Sequence, residues 1–240
     1  MMQPSSPDRL VPGWYGKLPG NGDFLRRRLP DALVNSWSHW FQSGIAWQKQ
    51  QPATGVPVTQ FAMAPVWNFI VPATLGGQYI QMGCLLPAQD RVGRQYPICA
   101  MNLLTLEEWH PLQLRTAGLW YRQLGMTLNA AVNQRSTADQ LDQSLLRMLP
   151  LEKPDTRELS DIFDVIGYRD IPSSLNWPQV EDYFNPSQYT SFWWTNQSDG
   201  SPLFTHVHSG NFTTRLFSLL FQSANARHTG HNGLYPPMFE

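Results

Sequence analysis

"GQYIQMGCLLPAQDRVGRQYPICAMNLL", residues 77–104, reads as two apolar runs around a charged turn. The runs, 77–87 and 95–104, are of strand length, and the seven residues between them (88–94) suit the loop of an antiparallel hairpin. The turn crowds Asp90, Arg91 and Arg94 into five positions of a chain in which only 15% of residues are charged. Gly93 allows the tight backbone path that such a turn needs. Asp90 is placed to accept hydrogen bonds from turn N–H groups, and Arg91 and Arg94 can reach a carboxylate elsewhere, such as Asp23.

Working outward from the hairpin, "APVWNFIVP" (64–72) is a third strand candidate, bounded by prolines, and "YTSFWWT" (189–195) a fourth. "PDALVNSWSHWFQSGIAWQ" (30–48) places Leu33, Val34, Trp37, Trp40, Phe41 and Ile45 at helical spacing, with Asp31 at the start, where the helix dipole favours it. The segment 112–133 reads as a second helix, with Trp120, Leu124, Leu128 and Ala131 on one face. The segment 137–149 reads as a third, opened by Ser136 or Thr137 and carrying Leu141, Leu145 and Leu149. "GNFTTRLFSLLF" (210–221) reads as a fourth. Alternating strand and helix runs predict an α/β fold with a mixed, partly antiparallel sheet flanked by helices. Residues 1–12 read as a tail, 150–161 as a polar connector and 162–240 as a part too thin for an independent core, which favours a single domain.

Composition narrows the function classes. A net charge of −1 argues against a nucleic-acid binder. The three lysines are far outnumbered by arginines, which points to structured ion pairs. With ten Trp residues, some are expected at a binding surface, where indole contributes apolar area and one donor. The opening residues carry no apolar signal core, and no run approaches the ~18 apolar residues of a membrane span. Cys84 and Cys99 read as reduced, buried thiols. The expectation is a cytoplasmic protein without direct membrane insertion.

Chemical motifs are sparse. "GNGDF" (20–24) lacks the Lys-Ser/Thr ending of a phosphate loop, and there is no G-x-S-x-G elbow. The pairs Glu107–Glu108 and Glu181–Asp182 occupy adjacent positions, which face different directions. "THVHS" (205–209) aligns His206 and His208 if it is a strand, but a metal site would need a third ligand such as His228 or His231; no metal and no cofactor are assigned. What stands out is the pair of loops "GNGDF", followed by Arg26, Arg27 and Arg28, and "DRVGR" (90–94). They serve either the fold, clipped together by Arg–Asp pairs, or a partner.

The stretch "GWYGKLPGNGDFLRRRLPDALVNSWSHWFQSG" (13–44) resembles the opening of the TagF family, also called ImpM, accessory proteins of type VI secretion systems. "APVWNFIVP" with "GCLLPAQDRVGRQYPI" (83–98) resembles its second signature, and the Trp pair of "SFWWT" a third. The chain departs from the pattern at Ala88, where the family commonly has Ser, and through much of the C-terminal third. The resemblance implies a three-layer, sandwich-like α/β domain and a non-enzymatic regulator, chiefly a repressor, or adaptor of secretion-system assembly. Its implied partners are type VI secretion components, with a forkhead-associated scaffold protein among them. Trp14, Lys17, Asp23, Phe24, Arg26, Arg27, Asp90, Arg91 and Arg94 are the candidate binding residues of the signature loops. The partner surface is expected to include the 13–24 loop with Trp14 and Phe24; the alternative role for Trp14 is a core anchor. Two other functions stay open: a small-ligand or enzymatic pocket at Asp23, Asp90, Arg91 and Arg94, and a structural component of the secretion baseplate.

Overall fold

The computed structural model describes residues 10–50, 59–75, 77–151 and 174–222. The tail up to residue 9, most of the 50–60 loop, the polar connector beyond Leu151, and His228 and His231 lie outside the described residues. In chain order the elements are β1 (Gly13–Gly16), β2 (Leu25–Arg27), α1 (Asp31–Gln50), α2 (Thr59–Ala62), β3 (Trp67–Val71), β4 (Ile80–Leu86), β5 (Ile98–Leu104), α3 (Pro111–Arg115), α4 (Gly118–Asn133), α5 (Ala138–Arg147), α6 (Val180–Tyr183), β6 (Thr190–Thr195), β7 (Thr205–Ser209) and α7 (Thr214–Phe221). The strands form one seven-stranded sheet in the order β2-β1-β5-β4-β3-β6-β7.

The predicted hairpin is present: β4 pairs antiparallel with β5 from Ile80↔Leu104 to Leu86↔Ile98. Every other pairing is antiparallel too, so the α/β expectation holds and its "mixed" sheet narrows to an antiparallel one. Helices cover both faces. Ile80, Met82, Cys84 and Leu86 of β4 join Ile98 and Ala100 of β5 in a core under α4 and α5, where Trp120, Leu124, Leu128, Leu141 and Leu145 are buried. Leu85, Cys99 and Met101 point the other way, into a core under α1 and α7 with Trp37, Phe41, Phe217 and Phe221. All seven residues of β4 are therefore buried. That is why its sequence is apolar at every position but Gln81 and lacks the half-polar alternation of a solvated sheet. Full burial of each such Leu or Phe contributes about 1.5–3 kcal/mol.

Three boundaries differ from expectation. The helix expected over 112–133 is broken at Thr116 and Ala117. His110 and Gln113 form a capping box that starts α3 with Pro111 in its first turn. The Thr116 hydroxyl then donates back to the Leu112 carbonyl at 3.0 Å, a competitor to helix continuation. The third helix starts at its Thr137 cap as expected but stops at Arg147, because Pro150 disfavours helical backbone at Leu149. Leu149 is consequently exposed, not buried. Finally, Leu25–Arg27, read as loop, adds a short edge strand to β1.

The tryptophans do not build a surface. Eight of the ten are buried: Trp14, Trp37, Trp40, Trp67, Trp120, Trp177, Trp193 and Trp194. Trp47 and Trp109 are half-buried. Four buried indoles on the α1/α7 side find acceptors: Trp37 on Gln81 Oε1 at 2.7 Å, Trp40 on the Thr213 carbonyl at 2.9 Å, Trp67 on the Leu220 carbonyl at 2.8 Å and Trp193 on Ser191 Oγ at 2.9 Å. The enrichment serves the core.

Candidate functional site: a loop platform on a buried ion pair

The two signature loops meet. β1 delivers Lys17 at its end, and the β4–β5 turn delivers Asp90. Lys17 Nζ lies 2.8 Å from Asp90 Oδ2, and Arg94 Nε lies 2.6 Å from the same oxygen. The backbone N–H groups of Val92 and Arg94 donate to Asp90 Oδ1 at 3.1 and 2.9 Å. Asp90 is 1% exposed and Lys17 is 5% exposed. Burial pushes the Asp90 pKa up, but the hydrogen bonds from Lys17 and Arg94, with the Lys17 charge, outweigh it and hold the carboxyl well below the usual carboxylate range.

The turn geometry follows from its residues. The Gly93 N–H donates to the Asp90 carbonyl at 3.0 Å, and Gly93 has φ +86°, a region closed to most side chains. The Arg94 guanidinium reaches across to the Gly22 carbonyl at 3.0 Å, and the Arg91 N–H donates to the Asn21 carbonyl at 2.8 Å. A third segment joins them, the α4–α5 turn. A Cβ on Gly20 would lie 2.5 Å from the Ser136 carbonyl oxygen, so only glycine fits there, and Asn21 Oδ1 accepts from the Ala138 N–H at 3.0 Å. Lys17 Nζ also sits 4.6 Å from the Phe24 ring centroid, and that ring stands edge-on to Tyr96 at 4.7 Å. The Tyr96 hydroxyl is 2.9 Å from that of Tyr15.

The nine expected residues divide by burial. Trp14, Lys17 and Asp90 are interior. Trp14 is fully buried in β1 and donates its indole N–H to Asp142 Oδ1 at 3.1 Å, so its side chain anchors the core and does not face a partner. Asp23, Phe24, Arg26, Arg27, Arg91 and Arg94 are exposed. The clip was expected to pair Asp23 or Asp90 with a loop arginine, and the Asp90–Arg94 pair is that clip; among the described residues Asp23 makes no ion pair, because its loop turns the side chain to solvent. The three consecutive arginines are each tied down separately: Arg26 to Asp31, Arg27 to Asp139 at 3.1 Å and Arg28 to Asp142 at 2.6 Å. A groove of about 390 Å³ runs beside them, lined by Tyr15, Phe24, Leu25, Arg26, Asp31, Val34 and Asn35. Sequence reasoning missed Asn21, Tyr96, Asp139 and Asp142. Asn21 and Tyr96 sat inside the signature stretches; the two aspartates left no local signal, since their partners are more than a hundred residues away.

Other chemistry is thin. All four lone-pair positions of Asp90 are taken up, so it offers no free acid or base to a pocket. Burial pushes the Cys84 and Cys99 thiols up, away from thiolate chemistry. Their strands place them on opposite faces of the sheet. His206 and His208 do share a face of β7, and His206 is brought down to about 4 by burial and by the charges of His208 and Arg215. Among the described residues no group of three His, Cys, Asp or Glu is arranged to hold a metal. Among them, too, no helix is long and apolar enough to cross a membrane.

Fold and site together define a three-layer α/β protein whose two signature loops are joined by a buried Lys17–Asp90 ion pair, extended to the surface by Arg94. A sequence profile described as "TagF N-terminal domain, Type VI secretion system-associated" matches residues 13–148, and the chain belongs to that family. The match takes in every candidate residue of both loops. Its fold is also that of the crystal structure of PA0076 from Pseudomonas aeruginosa PAO1 at 2.05 Å resolution, with a TM-score of 0.64 and 22% identity over 94% of this chain and 98% of that one. No curated protein matches.

Proposed function

We propose that this chain is a non-enzymatic regulator, acting as a repressor or adaptor in the cytoplasm, that controls type VI secretion assembly by binding other secretion components. The carrying observation is the division of the signature loops. Lys17, Asp90 and Trp14 are spent on rigidity, while Phe24, Arg91 and Arg94 stand in solvent on the scaffold they hold. An exposed aromatic flanked by arginines on an immobilised loop has the composition of an interface hot spot, and preorganisation lowers the entropy cost of docking. A forkhead-associated scaffold protein is the first partner to test.

The experiment is a pull-down with the tagged chain from cells expressing a type VI secretion cluster, comparing wild type with Phe24→Ala and Arg91→Ala. One stoichiometric partner, lost in both variants at unchanged melting temperature, is the expected result. Co-purification with the whole baseplate would instead make the chain a structural component. Capture unaffected by either variant would move the contact away from these loops.

A further inference from the structure

The three segments that converge on Asn21 and Gly20 also concentrate charge of one sign. Lys17 and Arg94 share the single carboxylate of Asp90. Arg91 is exposed and, among the described residues, has no ion pair. Arg135, in the α4–α5 turn against Gly20, is likewise exposed and makes no ion pair among the described residues. Asp23 is the one further carboxylate on these loops, so four cations face two acids. The neighbouring Arg26–Asp31 and Arg27–Asp139 pairs are neutral and leave that excess standing. The chain as a whole carries −1, so the platform is opposite in sign to the rest of the molecule. At its apex Val92 is 69% exposed, held there by the Asp90–Gly93 turn, and Phe24 is 51% exposed. An aliphatic tip exposed between two arginines does nothing for the core.

We propose that this platform docks an acidic protein segment carrying an apolar side chain, with Arg91, Arg94 and Arg135 facing its carboxylates and Val92 and Phe24 its apolar group. The inference rests on the binding role proposed above and names the chemistry of the partner. Arginine suits it, because its planar fork pairs carboxylates bidentately and is weakly hydrated. The apolar tip distinguishes such a partner from a purely electrostatic one: a polyanion would have no use for Val92.

The test titrates the isotopically labelled full chain, followed by NMR, with a short synthetic peptide of aspartate, glutamate and leucine. Controls are its asparagine–glutamine counterpart, a mixed-sequence oligonucleotide and phosphatidylserine vesicles. The acidic peptide should shift the amides of residues 23–24, 91–94 and 135, weaken with added salt, and lose roughly tenfold in affinity in the Arg91→Glu, Arg135→Glu double variant, as expected for two rim charges. Val92→Asp should weaken it further. Both variants alter exposed side chains, and an unchanged wild-type amide spectrum elsewhere checks their fold. Equal binding of the amide counterpart, the oligonucleotide or the vesicles would overturn the proposal, and so would shifts confined to another surface or no shifts at all. A secretion partner captured from cells while the acidic peptide fails would sink this inference and leave the binding role intact. The reverse result would sink the binding role in secretion alone.

Discussion

Asp90 makes four hydrogen bonds through two oxygens while almost wholly out of water. Asp90→Asn would leave the buried Lys17 ammonium without its counter-charge, and is expected to cost about 3–5 kcal/mol by chemical denaturation. The pH dependence has a definite sign. The folded-state pKa is depressed, so the stabilisation is present in full above the unfolded carboxylate pKa of ~3.9 and is lost as pH falls below it. The stability gap between wild type and Asp90→Asn should therefore narrow on acidification below about pH 4; a gap constant down to pH 2 would contradict the buried pair. The exposed Arg27–Asp139 pair is the counter-example: Arg27→Ala is expected to change stability by under ~1 kcal/mol, since both side chains sit in high dielectric. Trp14→Ala empties a core position and strands Asp142 of a donor, for about 3–5 kcal/mol and a clear drop in melting temperature.

Among the elements, α1 and the β4–β5 turn are the most tightly constrained. Gly44 lets α1 approach α7: a Cβ there would lie 2.2 Å from the Phe217 ring. Gly44→Ala is expected to destabilise by about 1–3 kcal/mol through overpacking, measured as a shift of the denaturation midpoint without change of slope. Gly93 has open space around it, so Gly93→Ala tests backbone conformation alone. At φ +86° it should cost about 1–2 kcal/mol and loosen the loop that presents Val92. The strands and helices themselves were largely legible in the sequence. β4 and β5 are apolar apart from Gln81 and Asn102 because both their faces are covered, and Trp120, Leu124 and Leu128 recur at helical spacing because α4 buries one face. What was not legible was the break at Thr116, whose backbone N–H and hydroxyl both turn back to the Leu112 carbonyl, and β2, three residues whose strand character comes only from pairing with β1.

At the scale of the whole molecule, rigidity and recognition are separated by depth. The buried Lys17–Asp90 pair ties the two loops together, Trp14 ties β1 to α5 through Asp142, and the exposed side chains above them face solvent. Phe24→Ala should therefore leave the melting temperature within a degree or two while removing partner capture, since its ring is half in solvent. Trp14→Ala should do the opposite, lowering the melting temperature but leaving capture intact in the fraction that stays folded. Equal thermal loss in both variants would erase the distinction between anchor and contact.

Read alone, the sequence determined the α/β class, the central hairpin, the helix faces and the two loops that matter. These are local matters: periodicity, turn residues and an unusual crowding of charge within a few positions. The tertiary structure alone decided which charges pair and which signature side chains face water. Asp90 was chosen over Asp23, Trp14 went to the core, and Arg135 came to lie beside Gly20, because each outcome depends on contacts between segments far apart in the chain. Burial decides such choices. A carboxylate placed out of water must gather every donor within reach, whereas an exposed one need gather none.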